Sequence, residues 1–190
     1  MYKLCKTEQS ALRQRELEQG LLALMLQHRY EDITVSDLCE YLQIPRKSFY
    51  RYFSSKEGAL YALIDHTMLE YEGLDTNLRV GINTDLRKSL EDFFVFWQER
   101  SDLLDALSKS GMIGFLLERA LNYAHSTPVA GLFSSEADKW EKTHLINFTL
   151  CGLMTMIVNW HRSGFRDSVT DLAGVALRLV SRPLFPYTAV

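Results

Sequence analysis

The sequence predicts an all-α protein of about nine helices: a small N-terminal head of three helices built around a helix-turn-helix, and a larger helical body behind it. Apolar residues recur at helical spacing along nearly every segment, and no segment alternates in the manner of a strand. Breakers then divide the chain into helix-sized pieces: Pro45, the glycines and asparagines of 73–84, Gly111 and Gly114, Ser126-Thr127-Pro128, Gly164 and Pro183.

Taken in order, Thr7 caps a helix running to about His28, with Leu17, Leu21, Leu24 and Met25 as its inward stripe. Tyr30 and Ile33 bring the chain to Thr34. Either Thr34 or Ser36 caps a helix of about two turns, in which Val35, Leu38, Cys39 and Leu42 share a face while Asp37, Glu40 and Tyr41 look outward. Gln43-Ile44-Pro45 ends it, because a residue before proline is pushed out of the helical region and proline itself suits a first helical position. The next helix, from Pro45 to Phe53, groups Phe49, Tyr52 and Phe53 on one side and Arg46, Lys47, Tyr50 and Arg51 largely on the other. Ser55 caps a helix that continues through Leu60, Leu63, Ile64 and Met68 to about Tyr71 and links head to body.

Gly73 to Thr84 reads as a loop and as the best boundary, dividing the chain into a head at 1–54, a connecting helix at 55–72 and a body at 73–190. Thr84 or Asp85 restarts a helix with Leu86, Leu90, Phe93, Phe94 and Trp97 along one side, and Ser101-Asp102 begins another. Phe115 to His125 is helical. The longest helical signal, Glu136 to Ser163, is apolar nearly all round in its second half, which predicts burial on more than one side. Ser168 and Asp171 form a capping box for the last helix, whose stripe is Leu172, Ala176, Leu179 and Val180.

The chemistry concentrates in the head. The net charge is −3, yet from Ile44 through Lys56 the bases Arg46, Lys47, Arg51 and Lys56 meet no acid. The helix at 45–53 is cationic at its start, which opposes the helix dipole and points to an anionic partner. The amides opening the following helix, beside Lys56, add a place for a phosphate.

The spacing Thr34-Val35-x-Asp37-Leu38, followed by Ser48-Phe49-Tyr50-x-Tyr52-Phe53-x-x-Lys56, resembles the N-terminal helix-turn-helix of the TetR/AcrR transcriptional regulators, over about Leu12 to Ile64. The resemblance implies that 45–53 is a recognition helix in the major groove, with Arg46, Lys47 and Ser48 nearest the base edges. It implies phosphate contacts from Thr34 or Ser36, Tyr50 and Lys56, which set position and affinity, while base contacts from Arg46 and Lys47 set sequence. Two residues depart from the family pattern: Gln43 stands where a turn glycine is usual, and Pro45 where a serine or threonine is usual.

The resemblance also implies a body that regulates and dimerises. The last two helices have surplus apolar surface with Gly152 at a close approach, and Phe148, Gly152, Met156, Leu172, Ala176 and Leu179 are the candidate dimer residues; packing of the monomer's own core is the competing explanation. An effector pocket is expected in the body, lined by Phe94, Trp97, Phe115, Tyr123, Phe148 and Trp160, with Phe93, Met154 and Met156 as further candidates, although aromatics at this spacing more often form ordinary core. The expected partners are thus a duplex operator with inverted repeats, a second copy of the chain and a small-molecule effector, in a repressor released by that effector. The alternative is a regulator-like protein-interaction partner that has lost DNA reading, for which Gln43 and Pro45 are the only support.

Other classes find no footing. No glycine-rich phosphate loop, G-x-S-x-G, H-E-x-x-H or Cys/His signature occurs, so neither catalysis, a cofactor nor a metal is expected. Cys5, Cys39 and Cys151 are far apart, and His125, His144 and His161 have no ligand spacing. The longest apolar run, Phe148 to Val158, is too short to span a bilayer, and the first residues lack the apolar run of a signal peptide, so the expected home is the cytoplasm. An apolar fraction of 47% is ample for a core.

Overall fold

The structure, a computed structural model, describes residues 2–3, 5–74, 85–126 and 139–181. Its described residues form nine α-helices: α1 Glu8–Gln27, α2 Val35–Tyr41, α3 Arg46–Tyr52, α4 Lys56–Leu74, α5 Leu86–Gln98, α6 Ser101–Lys109, α7 Ile113–Ser126, α8 Lys139–Arg162 and α9 Val169–Ser181. A 3-10 turn, Tyr30–Asp32, joins α1 to α2. The all-α class expected from the sequence is the observed one. No described helix is long and apolar enough to cross a membrane.

The chain packs as two compact units, Met1–Leu69 with Asp102–Arg119, and Glu70–Ser101 with Ala120–Val190. In the first, α1 is opened by Thr7, whose hydroxyl accepts from the Ser10 amide at 3.2 Å. Its stripe of Leu17, Leu21, Leu24 and Met25 is buried as expected, together with Leu38, Phe49, Phe53, Leu60, Leu63 and Ile64. The C-terminal carbonyls of α1 have no basic residue of their own helix nearby; Lys109 of α6 supplies one, donating to the carbonyls of Leu26 at 2.9 Å and Gln27 at 2.8 Å. Glu18, fully buried, lies 2.9 Å from His66 Nδ1, so α1 and α4 share a polar tie inside an apolar surround.

Helices α1 and α2 approach closely because residue 20 has no side chain. A methyl group there would lie 2.8–3.0 Å from Cδ1, Cδ2 and Cγ of Leu42, the whole end of that side chain. Gly20→Ala is therefore expected to destabilise the protein by about 1–3 kcal/mol through overpacking, read as a lower urea midpoint with unchanged slope.

In the second unit α5 packs against α9 and α8. Leu90, Phe93, Phe94, Phe96 and Trp97 are buried, and Phe94 meets Trp160 edge to face at 6.0 Å. Ala173, Gly174 and Ala176 are buried too. Small residues there let α9 come close to α5, so Ala176, a candidate for the dimer surface, belongs to the unit's own core.

Other expectations need correction. The second half of α8 buries Met154, Ile157, Val158 and Trp160 but leaves Gly152 and Thr155 exposed, with Phe148 68% exposed just before them; the helix is covered on one side, not all round. Leu86 is exposed, so the stripe of α5 begins at Leu90. Helix α4 runs on to Leu74, placing Gly73 inside it, and Gly114 falls in the first turn of α7. Thr84, Thr127, Pro128, Glu136 and Pro183 lie outside the described residues.

Candidate nucleic-acid interface

Helix α2 is fixed at its start by a complete capping box. The Thr34 hydroxyl accepts from the Asp37 amide at 3.2 Å, and Asp37 Oδ2 accepts from the Thr34 amide at 2.7 Å and from its hydroxyl at 2.8 Å. Thr34, not Ser36, is thus the cap, and Ser36 is exposed in the first turn. The Thr34 amide, then its hydroxyl, holds the Asp37 carboxyl below its ordinary range. The native value lies below the unfolded one, so this stabilisation is present above about pH 4 and is lost as pH falls through the lowered native value. An NMR titration of the Asp37 carboxyl should give a midpoint below that of an unstructured peptide, and Thr34→Val should raise it.

The turn after α2 closes with the Ile44 amide on the Cys39 carbonyl at 2.9 Å, and Gln43 takes the left-handed conformation at φ 53° that the missing glycine would suit. Gln43→Gly should therefore stabilise the head by about 1 kcal/mol, because the strain of a side chain in this region disappears; a thermal melt checks it. Pro45 occupies the cap position of α3 at ψ 142°, not its first helical position, and no side chain caps this helix. The Ser48 amide donates to the Pro45 carbonyl at 2.8 Å, closing the first turn.

Helix α3 has only seven residues, too few to hold itself together. Packing holds it: Phe49, Tyr52 and Phe53 are buried beneath, with the Phe49 and Phe53 rings 5.3 Å apart. The opposite face leaves Arg46, Lys47, Tyr50 and Arg51 exposed and Ser48 half-buried. Arg46 Nη2 donates to the Tyr50 hydroxyl at 3.3 Å, a contact that raises the guanidinium's already high pKa and props the side chain over α3. No ion pair to an acid involves Lys47 or Arg51 among the described residues, so their charge is available to an outside anion.

Lys56 differs from the phosphate ligand expected of it. Its ammonium donates to the carbonyls of Tyr30 and Ile33 and sits 4.1 Å from the Tyr30 ring centroid, and burial lowers its pKa against the pull of Asp32, Glu31 and Asp37. Here it fastens the 3-10 turn to the start of α4. Lys56→Met should leave two carbonyls without their donor and lower head stability by about 1–3 kcal/mol, measured by thermal unfolding.

The remaining candidates scatter. Phe94, Trp97 and Trp160 are buried in the second unit, Tyr123 is half-buried on α7, and Phe148 stands out on α8. Phe115 belongs to the first unit, its ring 4.7 Å from that of Tyr61. His144, Asn147, Phe148, Cys151, Gly152 and Thr155 line an open depression on α8. Of the dimer candidates, Phe148, Gly152 and Leu179 are exposed, Met156 and Leu172 half-buried. Sequence reading passed over Tyr2, Asp65 and Arg119, which meet across 54 to 63 positions of chain, and no local pattern announces such a meeting.

A short capped helix, a left-handed turn and an outward cationic helix on a shared aromatic core define a helix-turn-helix head of the kind that reads DNA. Residues 20–63 match the model of the bacterial regulatory proteins of the tetR family. The head is thus similar in sequence to the DNA-binding domain of the TetR-family transcriptional regulators. Its fold is similar to that of the fatty acid degradation regulator FadR from Bacillus halodurans, at a TM-score of 0.63 and 17% identity, covering 95% of this chain and 98% of that one. It is also similar to the dihydroxyacetone kinase operon activator DhaS, at a TM-score of 0.57 and 17% identity, covering 90% and 94%. No curated protein matches the sequence.

Proposed function

We propose that the protein is a repressor that binds an inverted-repeat operator as a homodimer and is released by a small-molecule effector. In this reading α3 enters the major groove, Arg46 and Lys47 read base edges, and Ser48, Tyr50, Ser36 and Thr34 position the head on the backbone. Residues 1–54 act as the reading head, 55–72 as the connecting helix, and 73–190 as the part that dimerises and takes the effector. The protein acts in the cytoplasm. The observation that carries this reading is the exposed, acid-free cationic face of α3 standing on a buried aromatic floor. Such a face has no use inside the fold and suits a polyanion.

The exposed residues Phe148, Gly152 and Leu179 support a partner of the same kind, since a two-fold pair brings two heads to two half-sites. The effector acts by favouring a body conformation whose heads no longer match the operator spacing, which requires that it bind the two conformations with different affinity.

Fluorescence anisotropy with labelled duplexes tests the head directly. Arg46→Ala should cost about 1–3 kcal/mol on the preferred duplex and relax preference at one base position, and Lys47→Ala should relax it at another, whereas Tyr50→Phe, at a backbone contact, should weaken every duplex alike. Equal loss from Arg46→Ala on all sequences would remove its assignment as a base reader.

A further inference from the structure

The segment before α1 is tied to the end of the recognition helix. Tyr2 forms an isolated antiparallel bridge with Phe53, and the Lys3 amide donates to the Tyr52 carbonyl at 3.1 Å. Neighbouring residues of an extended strand point opposite ways. Tyr2 turns inward, its ring edge on to His66 at 5.7 Å, and its hydroxyl donates to Asp65 Oδ2 at 2.9 Å. Burial first, and then this hydrogen bond, push the phenol up to about 12.

Asp65 has a second partner. Arg119 of α7 grips the same carboxylate with Nε on Oδ1 at 2.8 Å and Nη2 on Oδ2, while its guanidinium carbon lies 4.9 Å from the Tyr61 ring centroid. Both side chains are part-buried, and a two-pronged grip of this kind fixes direction as well as distance. The residue after Arg119, Ala120, already belongs to the second compact unit, and α4 itself passes into that unit at Glu70. The Asp65–Arg119 pair therefore ties together the two helices that leave the reading unit.

We propose that Asp65 is a positioning residue for DNA binding: through Tyr2 it fastens the N-terminal arm against Tyr52 and Phe53, and through Arg119 it makes the seating of the recognition helix depend on α7. The inference rests on the DNA-reading function. Tyr2 and Arg119 share one carboxylate, so loss of Arg119 frees Asp65 to turn away from Tyr2, the arm lifts, and the C-terminal end of α3 loses the neighbour that its Tyr52 carbonyl now holds. An ion pair of merely structural value would stabilise the fold without altering how folded protein meets DNA.

Tyr2→Phe removes one hydroxyl and keeps the ring beside His66, so it leaves the core intact. The expected result is duplex affinity weakened about three- to tenfold, the range for loss of one ordinary hydrogen bond, with faster hydrogen exchange at the Lys3 amide. Arg119→Gln should do the same, Arg119→Lys should restore part of the loss, and Tyr2→Phe combined with Arg119→Gln should fall short of the sum of the two. The proposal is overturned if Tyr2→Phe binds duplex as tightly as the parent at a temperature where both are folded, or if Lys3 exchange is unchanged. Should the parent bind no duplex at all, the DNA-reading function fails instead, and Lys3 exchange in Arg119→Gln still decides whether Asp65 holds the arm.

Discussion

A Phe49→Ala protein is expected to lose about 3–5 kcal/mol of stability, the range for emptying an aromatic site in a packed core. Phe49 is fully buried, and its ring meets those of Phe53 at 5.3 Å and Tyr50 at 5.4 Å. A seven-residue helix cannot offset that loss from its own hydrogen bonds, because helices so short are marginal in water. The loss compares with the roughly 5–15 kcal/mol of a whole domain. Denaturant unfolding followed by circular dichroism should show the midpoint falling sharply, and duplex binding should disappear with it. A change below about 1 kcal/mol would mean that the core beneath α3 is looser than its burial indicates.

The second large effect is on assembly. In the proposed dimer Phe148 lies at the centre of the exposed strip of α8, with Trp140 also exposed and Gly152 one turn on. A two-fold interface repeats every substitution, so Phe148→Glu places two like charges in one apolar contact, at a cost of several kcal/mol. Sedimentation equilibrium should show dimer for the parent and monomer for the variant. Since Phe148 is 68% exposed within its own chain, monomer stability should change by no more than about 0.5 kcal/mol. A variant that remains dimeric would put the interface elsewhere.

Helix-scale organisation was legible where one stretch of chain decides it. Thr7 and Ser168 cap α1 and α9 as their spacings require, and the stripe of α1 is buried residue for residue. Gln43 stands where the resemblance puts a turn glycine, and it takes the left-handed conformation that a glycine there would suit. The role of Lys56 was not legible: sequence shows a cation beside a helix start, but only the fold brings the Tyr30 and Ile33 carbonyls to it. Ala176 left its expected surface for the core for a related reason, while Phe148, expected both in a pocket and on a dimer surface, is exposed. Helical periodicity gives a face, and which neighbour covers that face depends on tertiary packing, here of α9 on α5. The Tyr2, Asp65 and Arg119 cluster lies furthest from the reach of pattern, since it joins three segments that share no periodicity.

The most direct test of DNA reading is selection of binding sites from random duplex DNA with the purified protein, followed by titration of the enriched duplex against salt. The expected outcome is a two-fold symmetric sequence whose affinity falls linearly on a log–log plot as salt rises, with a slope that reports the number of phosphates engaged. No enrichment even at low salt would contradict a DNA-reading head and leave the cationic face of α3 to a protein partner.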